Sequence, residues 1–441
     1  MPELTLFLYV LITVATMWIG VRAFGRWINH ITIYGMVWGI QVILFEMRLI
    51  AYHALSFETT MFIFGSWAVF VFSSLTIRNF YSNKMPETRA LPAPRHDVLT
   101  IVLVTLTLIG AIGTYQHWTV LLRMFGSVKG VVFNANLMYA LRREEGGIPG
   151  MWPYVDSVSL AADFVGGYFA GLRRRPILLA VAPFIVELAN AIAAFGRSRL
   201  LIGIILWGTA FFFTQVKKQA TERSARWKQV VLLASILIIF IFGMEFIRQF
   251  RGMRESFSGE TTSLSHMNGV GLITPSIYLY LSSDVAVLNK FLNYEFSGRV
   301  EHTPIGGNTF APFFRLFAKI GLTDPVLEYQ KSYSVPASTN TASYLRELYA
   351  DWGIGGTLFF VYLLGAFCSV AVEAYRRRKS LTLLAIVAHL HVAVFFSFFV
   401  QVSRLGYWIV SLVFAVIASM IIDKYSVHEN KAQYGNGDGT V

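Results

Sequence analysis

Long apolar blocks dominate this chain from its first residues to about residue 423. Most are near 18 residues or longer, the length of an α-helix that crosses the hydrocarbon core of a bilayer. Only 14% of the 441 residues are charged, against roughly 25% in ordinary soluble domains. The sequence therefore predicts an all-α polytopic membrane protein with about eleven transmembrane helices. The predicted spans are 4–21, 31–54, 60–78, 98–117, 152–172, 176–195, 199–215, 229–247, 352–374, 381–400 and 404–423.

Lys and Arg residues concentrate in one of two alternating sets of short connections. Twenty of them lie in the set near residues 22–26, 78–95, 173–175, 217–228, 376–379 and 424–431. The opposite short connections contain only Arg197, Arg199 and Arg404. Because short cytoplasmic loops are enriched in cations, the first set is predicted to be cytoplasmic. The N-terminus then faces outward and the C-terminus inward, which agrees with an odd number of spans.

Two long connections, at 118–151 and 248–351, fall on the predicted outer side. The second has about 100 residues, which is too long for a passive connector. It is predicted to form an outer cap with one or two short helices, near 272–294 and 311–320. The chain accordingly divides into transmembrane helices over 1–247, the cap over 248–351, further transmembrane helices over 352–424 and a polar, disordered tail over 425–441. Any chemistry is expected at the outer membrane–water boundary.

The outer turn Gly196-Arg197-Ser198-Arg199 contains the first candidate site residues. Ser198 is a plausible N-cap, so that the next helix begins at Arg199 or Leu200. A helix N-terminus with two guanidinium groups suits a phosphate or pyrophosphate. The alternative is that both arginines extend to lipid headgroups.

A second cationic group follows the predicted eighth span. Arg248, Arg251 and Arg254 share one face if the helix continues, and three cations on one face suit a polyanionic ligand. The alternative is local pairing with Glu245 and Glu255.

The segment from Thr339 to Gly356 leads into the ninth predicted span. Asn340, Tyr344, Glu347 and Asp351 fall on one helical face, which would present hydrogen-bonding groups, carboxylates and an aromatic ring to a sugar. Its glycines are expected to permit close helix contacts. The alternative is an ordinary polar face of a helix entering the membrane.

The remaining candidates are scattered along the sequence. His302 in the large loop suits a general base near neutral pH, with His266 as an alternative, although solvated loop histidines are common. Charged residues inside or near spans are costly in lipid and mark a polar cavity by default. These residues are Glu46, Arg48, Asp156, Asp163, Glu187 and Arg404, of which Asp163 and Glu187 could instead pair with arginines of neighbouring spans.

Several classes of protein are disfavoured. The net charge of +12 comes from short clusters between apolar blocks, which argues against nucleic-acid binding. The chain contains no GxxxxGK[ST], HExxH or CxxC motif and a single cysteine, Cys368, so neither a metal nor another cofactor is expected.

This arrangement resembles the Wzy-type oligosaccharide repeat-unit polymerases (O-antigen polymerases), which are related to the O-antigen ligases. The resemblance covers the whole architecture: many spans, Ser198-Arg199 before a mid-chain helix, the large late loop, and the Asn340…Tyr344…Asp351-x-Gly353-x-x-Gly356 segment. The ligases look to have a histidine before the asparagine that matches Asn340, whereas this chain has Thr339. That difference favours a polymerase and leaves the base unidentified.

The resemblance implies a metal-independent membrane glycosyltransferase of a GT-C-like fold in the bacterial inner membrane, active at the periplasmic face. Donor and acceptor would both be undecaprenyl-pyrophosphate-linked oligosaccharides, and a chain-length regulator and a flippase would be candidate protein partners. Arg199 and Arg251 would stabilise the departing pyrophosphate, with Arg197, Arg254 and Arg404 as second choices. The base would be His302, Glu347 or Asp351, or none at all. Arg248, Asn340, Tyr344, Glu46 and Arg48 would help to bind substrate.

Two other functions stay open. An O-antigen ligase would run the same chemistry with lipid A core as the acceptor. A transporter or flippase of lipid-linked oligosaccharide would carry its polar residues at the bilayer midplane rather than at the outer boundary.

Overall fold

The computed structural model describes residues 2–82, 93–134, 137, 148, 150–172, 176–194, 198–215, 266, 275–296, 304–323, 326, 332–336, 338–339 and 342–427. This part of the chain is mostly helical. Its helices are α1 (Pro2–Phe24), α2 (His30–Glu46), α3 (Phe57–Ser82), α4 (His96–Phe125), α5 (Val128–Phe133), α6 (Val158–Gly171), α7 (Ile177–Ala194), α8 (Ser198–Gln215), α9 (Pro275–Phe296), α10 (Ala311–Lys319), α11 (Tyr344–Arg378), α12 (Leu381–Phe396) and α13 (Gly406–Lys424). Short 3₁₀ turns at Val155–Ser157 and Val402–Arg404 precede α6 and α13.

Four two-residue strands form two antiparallel pairs. β1 (Ala93–Pro94) pairs with β4 (Ser426–Val427), and β2 (Tyr333–Ser334) pairs with β3 (Ser338–Thr339). The expected disordered tail therefore begins no earlier than residue 428, because residues 426–427 are held against the segment before α4.

Among the described residues, six helices are long and apolar enough to cross a membrane, and three shorter apolar helices accompany them. The six are Leu4–Phe24, Phe57–Tyr81, His96–Phe125, Ser198–Gln215, Tyr344–Arg378 and Gly406–Lys424. Several present large apolar side chains outward, such as Phe7, Phe72 and Ile101, each more than 60% exposed. Such surfaces suit lipid contact, so the described part of the chain supports an all-α multi-pass membrane protein.

The helices pack in two groups that share α12. One group surrounds α6, which is buried along its whole length and contacts α4, α7, α8 and α13. The other contains α1, α2, α3, α9 and α11. Because α12 packs against α2, α8, α11 and α13, it joins the two groups and aligns their ends.

The described residues of the connections predicted to be cytoplasmic, near residues 24, 81, 93–95, 376–380 and 423–427, meet at one end of the bundle. There, Arg376 donates to the backbone oxygen of Phe24, and Arg377 donates to that of Tyr81. At the same end β1 pairs with β4, and Asp423 accepts hydrogen bonds from the first residues of α12. The grouping of these Lys- and Arg-rich connections on one side, as predicted from the sequence, therefore agrees with the positions of their described residues. The side of the membrane that this end faces stays a prediction.

Several predicted boundaries are wrong. The second span does not run over 31–54, because α2 ends at Glu46 and Arg48 has a left-handed φ of 52°. The apolar residues that follow, such as Ile50 and Tyr52, are buried against α9. α4 likewise continues to Phe125, inside the predicted first outer loop, and the span predicted over 381–400 ends at Phe396. The predicted span 229–247 lies outside the described residues.

The ninth predicted span is longer than expected and is interrupted. α11 covers Tyr344–Arg378, but Gly353 has φ 62° and ψ −168°, a conformation that is essentially restricted to glycine. A Cβ at Gly353 or Gly355 would meet no atom within 4 Å, so these glycines do not serve close helix contacts as predicted. Gly353 instead allows a kink between the polar first turns of α11 and its apolar remainder.

Candidate active site

Polar side chains gather at the end of the bundle opposite the cationic connections. This end contains the first residues of α8, α11 and α13 and the last residues of α12. Its two polar groups are named the Arg404 cluster (Arg404, Glu347, Asn308 and Asp351) and the Arg199 cluster (Arg199, Asp156, Glu187 and Asn190).

The Arg404 cluster joins three segments that are distant in sequence. Arg404 donates from one guanidinium nitrogen to Glu347 Oε1 at 3.0 Å and to Asn308 Oδ1 at 2.6 Å. The Nδ2 of Asn308 donates to Asp351 Oδ1 at 2.8 Å. Glu347 and Asp351 lie one turn apart on α11, which explains how one helical face supplies both carboxylates. All four side chains are buried, so the charges are largely removed from water.

Asp351 has a specific task within this cluster. Its Oδ1 accepts from the backbone N–H and the side chain of Asn308, and its Oδ2 accepts from the backbone N–H and the hydroxyl of Thr309, at 2.6–3.0 Å. The Thr309 hydroxyl also accepts from Trp352 Nε1 at 3.0 Å. Both carboxylate oxygens are thereby used to hold the segment before α10, which identifies Asp351 as a positioning residue.

Glu347 is bound on both oxygens as well. Oε1 accepts from Arg404, and Oε2 accepts from the backbone N–H of Gln401 at 2.5 Å. This second contact fixes the turn between α12 and α13 that carries Arg404. Glu347 therefore orients the arginine through its side chain and through the preceding backbone.

The Arg199 cluster lies where α8 begins. Arg199 forms ion pairs with Asp156 and with Glu187, whose Oε1 lies 3.3 Å from Nη2 and whose Oε2 lies 3.4 Å from Nε. Asn190 donates to Asp156 Oδ2 at 2.7 Å, and His117 lies 3.8 Å from the same oxygen. Only 10% of the Arg199 side chain is exposed, so it does not extend to lipid headgroups.

Tyr407 contacts the Arg199 cluster and lies close in sequence to Arg404. Tyr407 follows Arg404 by three residues, in the first turn of α13. Its hydroxyl lies 3.0 Å from Ser198 Oγ, and the Arg199 guanidinium lies 5.3 Å from its ring centre, within cation–π range. α8 already includes Ser198, so the expected helix start at Arg199 or Leu200 is one residue or more too late.

The charges of these clusters bear on the predicted anion site. All three nitrogens of the Arg199 guanidinium contact carboxylate oxygens. Two carboxylates, those of Asp156 and Glu187, thus surround this one cation. The Arg404 cluster also contains two carboxylates for one guanidinium. A direct contact between Arg199 and a pyrophosphate therefore stays a prediction, and it requires the anion to replace a carboxylate.

Three other candidates lie apart from these clusters. The hydroxyl of Tyr344 lies 3.0 Å from that of Tyr34 on α2, away from Glu347 and Asp351. Glu46 pairs with Arg48 at 3.6 Å, and the Arg48 side chain is 48% exposed. The structure does not bring these residues to the arginines of the site. The predicted residues Arg197, Arg248, Arg251, Arg254, His302 and Asn340 lie outside the described residues.

Sequence reasoning missed Asn308, Thr309, Asn190 and Tyr407. The only available signal was the position of Asn308-Thr309 directly after two glycines in the large loop. Nothing in the sequence relates Asn190 or Tyr407 to an arginine elsewhere in the chain, because these contacts arise from helix packing.

The described part of the chain contains no group of three or more His, Cys, Asp or Glu side chains arranged to hold a metal ion. No protein-family profile, curated protein or solved structure matches this chain.

Proposed function

We propose that this chain is a membrane glycosyltransferase of the Wzy type, with about eleven spans and an outer cap over 248–351, in a bacterial inner membrane. It polymerises oligosaccharide repeat units carried on undecaprenyl pyrophosphate, at the periplasmic face. The growing glycan passes from its lipid pyrophosphate to the non-reducing end of a new lipid-linked unit. The N-terminus is periplasmic and the C-terminus cytoplasmic in this proposal.

One observation carries the proposal. Arg199, Arg404, Glu347 and Asp351, singled out from separate stretches of sequence, lie at one end of the bundle, and Tyr407, three residues after Arg404, contacts Arg199. That end is opposite the cationic connections, so the positive-inside rule assigns it to the outer face. A polymerase acting on flipped lipid-linked sugars requires its polar groups at that boundary.

The proposed chemistry is a substitution at the anomeric carbon of the donor. A hydroxyl of the acceptor sugar attacks that carbon, its proton passes to a base, and the bond to undecaprenyl pyrophosphate breaks. Negative charge grows on the leaving pyrophosphate, and positioned arginines stabilise it more in the transition state than in the ground state. Glu347 is favoured over Asp351 as the base, because among the described residues Asp351 accepts four hydrogen bonds from Asn308 and Thr309, whereas Glu347 accepts one from Arg404 and one from Gln401. His302 remains the alternative base.

Charge balance indicates where further cations are needed. As defined, each cluster has one guanidinium for two carboxylates. Two further arginines lie beside the Arg404 cluster: Arg346 interacts electrostatically with Glu347 and Arg404, and Arg315 donates to the backbone oxygen of Arg404. In the proposal these arginines, together with Arg197, Arg248, Arg251 or Arg254, supplement Arg199 and Arg404 in balancing the charge of the pyrophosphate.

The test uses two matched glutamates on α11. Glu347 and Glu373 are both buried, and each accepts from an arginine nitrogen at 3.0 Å, at opposite ends of the helix. Glu347→Gln and Glu373→Gln keep the side-chain shape and remove the charge. In a strain that lacks the gene, each variant is expressed, its membrane level is measured, and the glycan is separated by length.

We expect the deletion strain to make only single-repeat glycan and Glu373→Gln to restore the full ladder. Glu347→Gln should be present in the membrane at the level of Glu373→Gln and yet leave single-repeat glycan. A full-length ladder from Glu347→Gln would remove Glu347 from the chemistry. Deletion that leaves undecorated lipid A core with complete polymer on its carrier would instead identify a ligase.

A transporter is the second candidate, and Asp163 is the observation that favours it. Asp163 is fully buried on α6, seven residues after Asp156 in the preceding 3₁₀ turn. Neither carboxylate oxygen has a hydrogen-bond partner among the described residues. Buried carboxylates within spans mark ion or proton paths in transporters. A deletion strain that retains the lipid-linked repeat unit on the cytoplasmic side would support this function.

A further inference from the structure

The exposed face of α10 is unusually apolar for a segment predicted to form an outer cap. Phe313, Leu316, Phe317 and Ile320 follow the i, i+3, i+4, i+7 spacing of one helical face, and they are 41–64% exposed. On a water-facing helix these positions would be polar and the apolar residues would face the protein. α10 shows the reverse arrangement.

The opposite side of α10 is attached to the candidate active site. Ala311 is buried, and Arg315 donates to the backbone oxygen of Arg404 at 2.9 Å. The segment before α10 is held by Asp351 through Asn308 and Thr309. α10 therefore cannot turn its apolar face inward without breaking contacts to the Arg404 cluster.

Neighbouring elements indicate the depth of α10. The ring of Trp352 packs beside Gly306 and donates to Thr309, just before the apolar part of α11 begins. Tryptophan favours the level of the lipid headgroups. Ile354 and Phe359 follow Trp352 on α11, a candidate spanning helix, and are 48% and 58% exposed. The segment before α10 is therefore held at the level where the apolar, candidate spanning part of α11 begins.

We infer that α10 is an interfacial helix whose apolar face is inserted into the lipid leaflet at the site end of the bundle. Lys319 is exposed at the flank of that face, where its ammonium group can reach phosphate headgroups. The bound partner is membrane lipid rather than a second protein. This inference stands apart from the proposed enzymatic activity.

Site-directed spin labelling of the full chain tests the inference. The only cysteine, Cys368, is buried, and Cys368→Ala provides a background for single cysteines. Nitroxide labels at Phe313→Cys, Leu316→Cys and Ile320→Cys are compared with Lys319→Cys. Each protein is reconstituted in vesicles of phosphatidylethanolamine and phosphatidylglycerol, and collision rates with oxygen and with a water-soluble nickel chelate are measured.

We expect the first three positions to favour oxygen over the nickel chelate, as a label at Phe359→Cys should. Lys319→Cys should favour the chelate. If labels at Phe313, Leu316 and Ile320 were more accessible to the nickel chelate than to oxygen, α10 would face water. Low accessibility to both reagents would show that protein covers it, and either result would overturn the inference. Elution of every variant as a single species on size-exclusion chromatography establishes that it is folded.

Discussion

Replacing Asp351 with Asn tests whether this carboxylate holds the loop of the candidate site. Asp351→Asn keeps the side-chain size but converts one oxygen into a donor. The least costly orientation places the new amide nitrogen toward Thr309, because the Thr309 hydroxyl can rotate and accept from it. The backbone N–H of Thr309 then faces another donor and loses its acceptor at 2.6 Å.

The magnitude follows from these contacts. A hydrogen bond to a charged group contributes about 1.5–3 kcal/mol, and a buried donor left without an acceptor costs about 1–3 kcal/mol more. The free energy of opening the segment around Asn308 and Thr309 should fall by about 3–5 kcal/mol. Amide exchange through this opening should therefore accelerate roughly 10²- to 10⁴-fold, since every 1.4 kcal/mol is a factor of ten.

Asp423 provides a matched control at the other end of the bundle. It accepts from the backbone N–H groups of Leu381 and Thr382 and from the hydroxyls of Ser380 and Thr382, at 2.6–3.1 Å. Asp423→Asn should accelerate exchange at Leu381 and Thr382, by a smaller factor because Asp423 is half-buried.

Hydrogen–deuterium exchange by mass spectrometry, together with glycan length in cells, measures both effects. Asp351→Asn should shorten the glycan ladder, whereas Asp423→Asn should leave it intact. Unchanged exchange over residues 304–310 in Asp351→Asn would refute the positioning role, and equal loss of glycan length in both variants would refute its link to function.

Two further outcomes are expected from thermal unfolding in detergent. Arg199→Met leaves Asp156 and Glu187 buried without their cation, which should lower the free energy of unfolding by about 3–5 kcal/mol, whereas adding Asp156→Asn and Glu187→Gln should restore most of the loss. No recovery would show that the ion pairs are not the source of the effect. Gly353→Ala forces a side chain into a glycine-only conformation and should cost about 1–3 kcal/mol, whereas Gly355→Ala should be neutral or slightly stabilising, because a Cβ there meets no atom within 4 Å. Equal midpoints for the two alanine variants would contradict the strain at Gly353.

The helical architecture was largely predictable from sequence because lipid selects long apolar segments. Hydropathy alone located α1, α3, α8 and α13, and the start of α4, to within several residues. It failed over residues 47–54, where apolar residues such as Ile50 are buried by another segment of protein and need no helix. Hydropathy does not distinguish burial in lipid from burial in protein.

The candidate site was predictable only in part. Arg199, Glu347, Asp351 and Arg404 were recognisable because charges are rare in such a chain. Their partners were not, because Asn308 reaches Arg404 across 96 positions of sequence through the packing of three segments. The alternative that Glu187 pairs with an arginine of a neighbouring span is confirmed at Arg199. The pairing of Asp156 with Arg199 and of Glu347 with Arg404 was not predicted, since it depends on distances between helices.

The break at Gly353 has a mechanical consequence for the bundle. The apolar remainder of α11 must adopt a tilt that suits the thickness of the surrounding bilayer. In a continuous helix, a change in the tilt of the apolar part would also displace Glu347 and Asp351 at its end. With a pivot at Gly353, the first turns of α11 stay fixed to Arg404 and Asn308 while the rest of the helix adjusts. We therefore expect the alignment of the candidate site to depend less on bilayer thickness than it would with a continuous helix.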